Sequence, residues 1–186
     1  MAVASPALIP LFRSPQQMRL LAEIFHGQPT TGAELARRLG MSQTTVAREI
    51  SRLENSGLIR TEQVGTGKLA VPADDLPFVP ALRQLLAYVG GIVPALLAEY
   101  ESNDAVDEVF IFGSWADRVN GVEGPPPNDI DVAIVSDSLT RFDVAEQRLR
   151  LEAATAAKID QLVFESGHER LAELRQGGVP VLRRHR

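Results

Sequence analysis

The chain of 186 residues contains no cysteine. This absence excludes a disulfide framework and a thiolate metal site, and it fits the reducing environment of the cytoplasm. The N-terminus lacks the charged, apolar and small-residue segments that together mark a secretory leader, and no apolar run approaches the length of a membrane span. We therefore expect a soluble cytoplasmic protein that has no membrane partner.

The rest of the composition is that of an ordinary globular protein, long enough for one large or two small domains. The net charge of -5 is unevenly distributed. Residues 1–71 hold eight Lys and Arg against five Asp and Glu, whereas residues 72–186 hold eleven against nineteen. The basic N-terminal part suits a polyanion such as DNA, and the acidic remainder suits metal binding better than nucleic-acid binding.

Three helices are predicted in the first 55 residues. Ser14 followed by Pro15 predicts the start of the first helix, which ends at His26-Gly27. A second helix over residues 33–39 and a third over residues 43–55 are separated by a tight turn, and apolar residues recur at helical spacing in both. This arrangement predicts a helix-turn-helix.

Two short strands follow the third helix, over residues 57–63 and 68–71, and they flank a glycine-containing tip that predicts a wing. Residues 31–71 resemble the winged helix-turn-helix of many bacterial repressors, most clearly in the stretch L-A-R-R-L-G-M-S-Q-T-T-V. We expect double-stranded DNA as the partner, with base edges and phosphates contacted by Gln43, Thr44, Thr45, Arg48, Arg52, Arg60 and Lys68. Because the basic excess is small, a winged helix used for dimerisation or protein contact stays an alternative.

Two apolar helical stripes follow, separated by Gly90-Gly91. They predict connector helices, and packing on the C-terminal domain or pairing in a homodimer both stay open. The predicted division is a winged helix-turn-helix DNA-binding domain at residues 1–75, connector helices at residues 76–103 and a last domain at residues 104–186.

The last domain is organised around two apolar runs. Residues 109–112 end at Gly113-Ser114, and the run Ile130–Val135 is preceded by Asp129 and contains Asp131. Both runs predict buried strands, and because side chains alternate along a strand, the two aspartates project from the same face. Neighbouring carboxylates repel each other unless a divalent cation lies between them. Such hard oxygen ligands suit Mg²⁺ or Mn²⁺.

A strand, a Gly-Ser turn, a helix and then Asp-x-Asp resemble the nucleotidyltransferase signature of the DNA polymerase beta superfamily, especially its minimal nucleotidyltransferase branch. The resemblance implies that Gly113 and Ser114 hold the phosphates of a nucleoside triphosphate. It further implies that Asp129 and Asp131 bind two metal ions and are catalytic. Two aspartates that merely protect a strand edge beside a surface turn are the plain structural alternative.

The same resemblance suggests roles for two more residues, Arg118 and Asp160. Minimal nucleotidyltransferases usually have Ala-Arg-Gly after the Gly-Ser turn, whereas this chain has Ala116-Asp117-Arg118, and we expect Arg118 to bind the nucleotide. Asp160, on a strand predicted over residues 158–164, is the candidate third carboxylate that takes the proton from an attacking hydroxyl. An ordinary strand-end aspartate is an equal alternative. A helix is predicted over residues 144–157, a final helix from His168, and a solvated tail over residues 182–186.

The predicted fold class is α+β, with an N-terminal winged helix-turn-helix, connector helices and a small nucleotidyltransferase-like mixed sheet flanked by helices. The fragments L-F-R-S-P-Q and G-S-W-A-D-R resemble a bacterial family in which these two domains are fused. The resemblance implies a DNA-binding transcriptional regulator that binds a nucleoside triphosphate with magnesium and transfers a nucleotidyl group. The alternatives are a non-catalytic repressor that senses a nucleotide, and a component of a toxin-antitoxin or phage-defence pair.

Overall fold

The computed structural model describes residues 12–65, 67–155 and 157–184. In chain order its elements are α1 Pro15–His26, β1 Thr30–Thr31, α2 Gly32–Leu39, α3 Gln43–Asn55, β2 Ile59–Val64, β3 Gly67–Pro72, α4 Val79–Val89, α5 Ile92–Tyr100, β4 Glu108–Phe112, α6 Gly113–Val119, β5 Ile130–Val135, α7 Ala145–Thr155, β6 Ile159–Phe164, α8 Leu171–Gln176 and β7 Val179–Arg183. The chain divides between Gly90 and Gly91 into two compact units.

Capping side chains set the ends of α1 as the sequence predicts. The Ser14 hydroxyl accepts a hydrogen bond from the Gln17 backbone N–H at 3.1 Å, and Pro15 occupies the first turn. The Gln17 side chain accepts from the backbone N–H of Arg13 at 2.8 Å, one residue before the cap. His26 ends the helix, and its Nε2 lies 3.0 Å from the carbonyl oxygen of Arg83 on α4.

The helix-turn-helix and the wing follow the predicted order. Gly40 ends α2 in the left-handed conformation, at a φ of 63°, and Ser42 caps α3. Val46 and Leu53 of α3 lie in the same core as α1. In the wing, β2 and β3 pair antiparallel, and β1 adds a third strand to β3. The sequence does not predict β1, because two residues are too few to show a period.

The two connector helices belong to different units. Leu86 of α4 joins the core of the first unit, and α4 packs on α1. Tyr100 of α5 is buried in the second unit, where α5 packs on α7 and β7. Gly90 is extended and Gly91 has a φ of 86°, so the backbone of one helix does not continue into the other.

Together, however, residues 79–100 form a segment of 22 residues that contains an 18-residue window with a mean hydropathy of 1.5, long and apolar enough by length and composition to cross a membrane. The expectation that no apolar run approaches this length is therefore wrong. One such segment is weak evidence for a membrane partner, because buried helices of soluble proteins meet the same criteria. Here two glycines divide it into helices of 11 and 9 residues, and a membrane-spanning helix needs about 20.

The second unit is built on a mixed four-stranded sheet in the order β6-β5-β4-β7. Strand β4 pairs antiparallel with β5 and β7, and β5 pairs parallel with β6 through the crossover helix α7. The predicted mixed sheet with flanking helices is confirmed. One face carries a small core of Phe110, Ala133 and Phe164 against Leu171 of α8.

The end of the chain differs from the prediction. The tail predicted as solvated contains Leu182 of β7, which pairs with Val109 of β4. Pro180 obscures this strand in the sequence, since proline is tolerated only at sheet edges, and β7 is an edge strand. The final helix also begins at Leu171, three residues later than predicted. Residues 185 and 186 lie outside the described residues.

Candidate functional site

The exposed face of α3 lies opposite its buried residues. Val46 and Leu53, seven residues apart, point into the core, so residues about half a turn away face outward. This face, which we call the reading face, consists of Thr44, Arg48, Ser51 and Asn55, all exposed. The predicted Thr44 and Arg48 therefore point outward. The sequence interpretation missed Ser51 and Asn55, although the helical period would have found them.

The other predicted residues of α3 lie beside the reading face. Gln43 is exposed at the start of the helix. The Thr45 hydroxyl lies 2.8 Å from the Ser42 hydroxyl, so it belongs to the helix cap. Arg52 donates two hydrogen bonds to Glu49 Oε2, at 3.1 Å from Nε and 2.8 Å from Nη2. Its guanidinium is therefore held against α3 in the free protein.

The two predicted basic residues of the wing differ in whether their charge is paired with a carboxylate. Arg60 on β2 forms an ion pair with Asp75, so its charge is largely neutralised locally. Lys68 on β3 is exposed and faces Gln63 across the ladder. Among the residues that the structure describes, Arg48 and Lys68 have no ion-pair partner, so they are the most available of the predicted DNA contacts.

The second unit brings the three predicted carboxylates together. In the parallel ladder Asp131 of β5 is in register with Asp160 of β6, and in the antiparallel ladder it faces Phe112 of β4. Residues in register on adjacent strands share a face, and the strands lie about 5 Å apart. Asp129 precedes Asp131 by two residues, as predicted for the same face. We call Asp129, Asp131 and Asp160 the acidic cluster.

The pKa of Asp131 reflects the charges around it. Burial raises the pKa of Asp131 above its ordinary value, and the charges of Asp129 and Asp160 raise this pKa further. Lys158 acts in the opposite direction, with its Nζ 3.4 Å from Asp129 Oδ2. The sequence interpretation missed Lys158, whose signal is its position immediately before the strand that carries Asp160.

Gly113 is required where β4 turns into α6. Its φ is 69°, and a Cβ on this residue would lie only 2.5 Å from Asp131 Oδ2. Any larger residue would therefore strain the backbone and displace the carboxylate. Ser114 follows in the first turn of α6 and is exposed. The Gly-Ser turn and the acidic cluster thus adjoin each other.

Arg118 at the end of α6 has a different neighbour. Its guanidinium packs against Gly124 in the loop before β5 so closely that a Cβ at Gly124 would collide with it. Its Nε and Nη1 are buried and have no hydrogen-bond partner among the described residues. Within the same residues no ion pair joins Arg118 to the acidic cluster. A buried guanidinium in this state favours an anion.

The acidic cluster offers carboxylate oxygens as ligands for a metal ion. Carboxylate oxygens suit Mg²⁺ or Mn²⁺ in kind. Within the described parts of the chain, however, no three His, Cys, Asp or Glu side chains converge as a ready-made metal site. The residues fit such a cation by their chemistry and register, and their side chains would have to turn toward it.

Comparison with known proteins concerns the first unit. Residues 13–68 match the MarR family, so this part of the chain, which holds the helix-turn-helix and most of the wing, is similar to that family. No curated protein matches the chain. A crystal structure described as the predicted DNA-binding transcriptional regulator from E. coli is 22% identical, over 42% of this chain and 80% of that one, with a TM-score of 0.35. The family match ends before α4 and leaves the second unit unassigned.

Proposed function

We propose that this protein is a MarR-type transcriptional regulator whose second unit binds a nucleoside triphosphate with Mg²⁺ or Mn²⁺ and transfers a nucleotidyl group. The observation that supports the second part is the register of β5 and β6, which brings Asp131 beside Asp160 and next to Gly113. Like charges gathered at a partly buried position cost stability, and such clusters are common at functional sites.

The DNA-binding part rests on the first unit. MarR regulators bind double-stranded DNA and often act as dimers. In this chain Thr44 and Arg48 on the reading face would meet base edges in the major groove, and Lys68 on the wing would meet a phosphate. Arg60 would first exchange its carboxylate partner Asp75 for a phosphate, and Arg52 would bind a phosphate with the donors that it does not give to Glu49. A homodimer would bind two half-sites.

The nucleotide part rests on the acidic cluster and the Gly-Ser turn. Two cations would supply the charge stabilisation that attack on an α-phosphate needs. Asp129 and Asp131 would hold them, and Asp160 would accept the proton of the attacking hydroxyl. Gly113 lets the triphosphate approach the backbone, because it has no side chain, and Ser114 offers a hydroxyl donor.

A non-catalytic nucleotide sensor is the second candidate, and the position of Arg118 favours it. This arginine comes one place later than in minimal nucleotidyltransferases and packs against Gly124, away from an ion pair with the acidic cluster. A pocket that binds a nucleotide without completing the transfer would use the ligand to change DNA affinity. Participation in a toxin-antitoxin or phage-defence pair stays a prediction that neighbouring genes can test.

Incubation with each α-labelled nucleoside triphosphate, Mg²⁺ and a cell extract tests the transferase. We expect label to move to an acceptor and pyrophosphate to be released. Asp129→Ala and Asp131→Ala should each reduce transfer at least about 100-fold, since they remove charge stabilisation of the transition state. Asp160→Ala should lower transfer more than nucleotide binding. Asp104→Ala, outside the cluster, serves as the matched control and should transfer label normally.

The outcomes separate the two candidates. A sensor binds nucleotide and transfers no label, its DNA affinity changes with nucleotide, and DNA changes its nucleotide affinity by the same factor. Transfer that survives loss of both Asp129 and Asp131 contradicts the catalytic proposal. Nucleotide binding without transfer and without coupling to DNA contradicts both candidates.

A further inference from the structure

Glu49 is an acidic residue in the middle of the helix that carries the reading face. Its side chain is only 13% exposed, and it contacts two arginines from different elements. Glu49 Oε2 accepts from Arg52 at 2.8 Å, and Glu49 Oε1 lies 3.6 Å from Nη1 of Arg13, which precedes α1. A single carboxylate thus holds two cationic groups along one flank of the reading face.

This flank borders an open recess of about 470 Å³. Arg13, Arg48 and Glu49 line it, together with Ser42 and Thr45 from the first turn of α3. The recess therefore adjoins the part of α3 that is expected to enter the DNA groove. Its polar lining, with Arg13 and Arg48, suits a phosphate oxygen better than an apolar ligand, and Arg52 is held by Glu49 beside this lining.

Both arginines held by Glu49 keep donors available. Arg13 is 64% exposed and Arg52 38% exposed. A guanidinium has five N–H donors, and Glu49 accepts two from Arg52, so the others can still bind an oxygen. Fixing long side chains in advance lowers the entropy that binding has to offset.

We propose that Glu49 is a positioning residue that holds Arg13 and Arg52 side by side, so that they bind a phosphate of the DNA backbone next to the reading face. The proposal rests on DNA binding by the first unit. It adds Arg13 to the DNA-binding residues and assigns a positive role to a carboxylate. Simple electrostatics assigns it the opposite role, since a carboxylate near DNA repels phosphates.

The positioning role and simple electrostatic repulsion predict opposite changes in DNA affinity when Glu49 loses its charge. Binding of a fluorescein-labelled duplex of random sequence to the full chain is measured by anisotropy at several salt concentrations. If Glu49 positions the arginines, Glu49→Gln weakens binding about 3- to 10-fold although it removes a negative charge. The slope of log affinity against log salt should also become shallower by about 0.9 for a lost phosphate contact.

Glu54→Gln is the matched control. Glu54 lies on the same helix and carries the same charge, but it accepts a hydrogen bond from Thr61 and, within the described parts of the chain, from no arginine. We expect this variant to bind DNA as well as the wild type or slightly better. Glu49→Asp keeps the charge and shortens the side chain, so it should bind with an affinity between wild type and Glu49→Gln.

A second arm links the effect to the arginines. In a chain that carries Arg13→Gln and Arg52→Gln, Glu49→Gln should no longer weaken binding, because no arginine is left to position. Thermal melting of every variant shows that the comparison is made between folded proteins. If Glu49→Gln does not fold, Glu49→Asp and the two arginine variants carry the same test.

Each outcome of these DNA-binding measurements supports or overturns the positioning role of Glu49. Weaker binding and a shallower slope for Glu49→Gln, both absent in the double-arginine background, support the proposal. Equal or tighter binding by Glu49→Gln, as for Glu54→Gln, overturns it while DNA binding stands. Failure of the wild type to bind any duplex at low salt overturns DNA binding by this chain and the positioning role with it.

Discussion

The ion pairs of the first unit and the acidic cluster of the second unit arrange charge in opposite ways. In the first unit arginines are paired with carboxylates on the surface, as Arg60 is with Asp75 and Arg37 with Glu34. In the second unit the acidic cluster gathers three carboxylates around one lysine ion pair. Exposed pairs cost little and add little stability, whereas gathered like charges lower stability unless a ligand offsets them. In the first arrangement Arg48 and Lys68, which have no ion-pair partner among the described residues, stay available to a polyanion, and the second arrangement suits a cation.

The largest effect is expected from a substitution in the glycine turn beside the acidic cluster. Gly113→Ala should destabilise the protein by about 2–3 kcal/mol, because it adds the strain of a positive φ to a forced displacement of the Asp131 carboxylate. Gly57→Ala is the control in the first unit, since Gly57 has a φ of 75° and nothing within 4 Å of an added Cβ. It should cost about 1 kcal/mol. Urea unfolding measures both, and equal losses would contradict a special fit at Gly113.

Acid should weaken the first unit through His26. Burial, followed by the nearby charge of Arg83, lowers the pKa of His26 to about 4 from 6.5. His26 is therefore protonated below about pH 6.5 in the unfolded chain but only below about pH 4 in the folded protein. Because the unfolded chain binds this proton more readily, the stability of the folded protein falls as pH is lowered from 6.5 to about 4. Because the side chain keeps some exposure, we expect a loss of about 2 kcal/mol.

His26→Gln removes this titration and provides the measurement. Thermal melting of wild type and variant at neutral pH and near pH 4 should show that the variant loses less stability on acidification. Parallel pH curves for the two proteins would show that His26 is protonated normally in the folded state.

Protonation of Asp131 should stabilise the folded protein, whereas protonation of His26 destabilises it. Its raised pKa means that the folded protein holds a proton more readily than the unfolded chain. The penalty is fully present above the raised pKa and disappears as pH falls through it toward the ordinary value of 3.8. Without metal, Asp131→Asn should therefore melt on the order of 2 °C higher than wild type at neutral pH, with the difference lost in acid.

The same pair of proteins tests the proposed ligand. Mg²⁺ or Mn²⁺ with a nucleoside triphosphate should raise the melting temperature of wild type by mass action, and Asp131→Asn should lose the metal-dependent part of this rise. An equal rise in both proteins would mean that the carboxylates are not the metal site.

Much of the fold could be predicted because its signals are local. Ser14 with Pro15 defines the start of α1, and the short apolar run after Asp129 defines β5, since caps and short apolar runs depend only on neighbouring residues. The edge strand β7 could not be predicted, because its pairing with β4 joins residues about 70 positions apart and its proline breaks the pattern.

The sequence by itself determined the helix caps, the helical period of α3 and the pair of aspartates around Ile130, because each depends on residues within one or two turns. Only the tertiary structure decided that Asp160 lies beside Asp131, that Glu49 holds Arg13 as well as Arg52, and that α4 and α5 belong to different units. These facts depend on strand register and packing between segments distant in the chain, and such contacts are fixed by burial of the whole core and not by local preference.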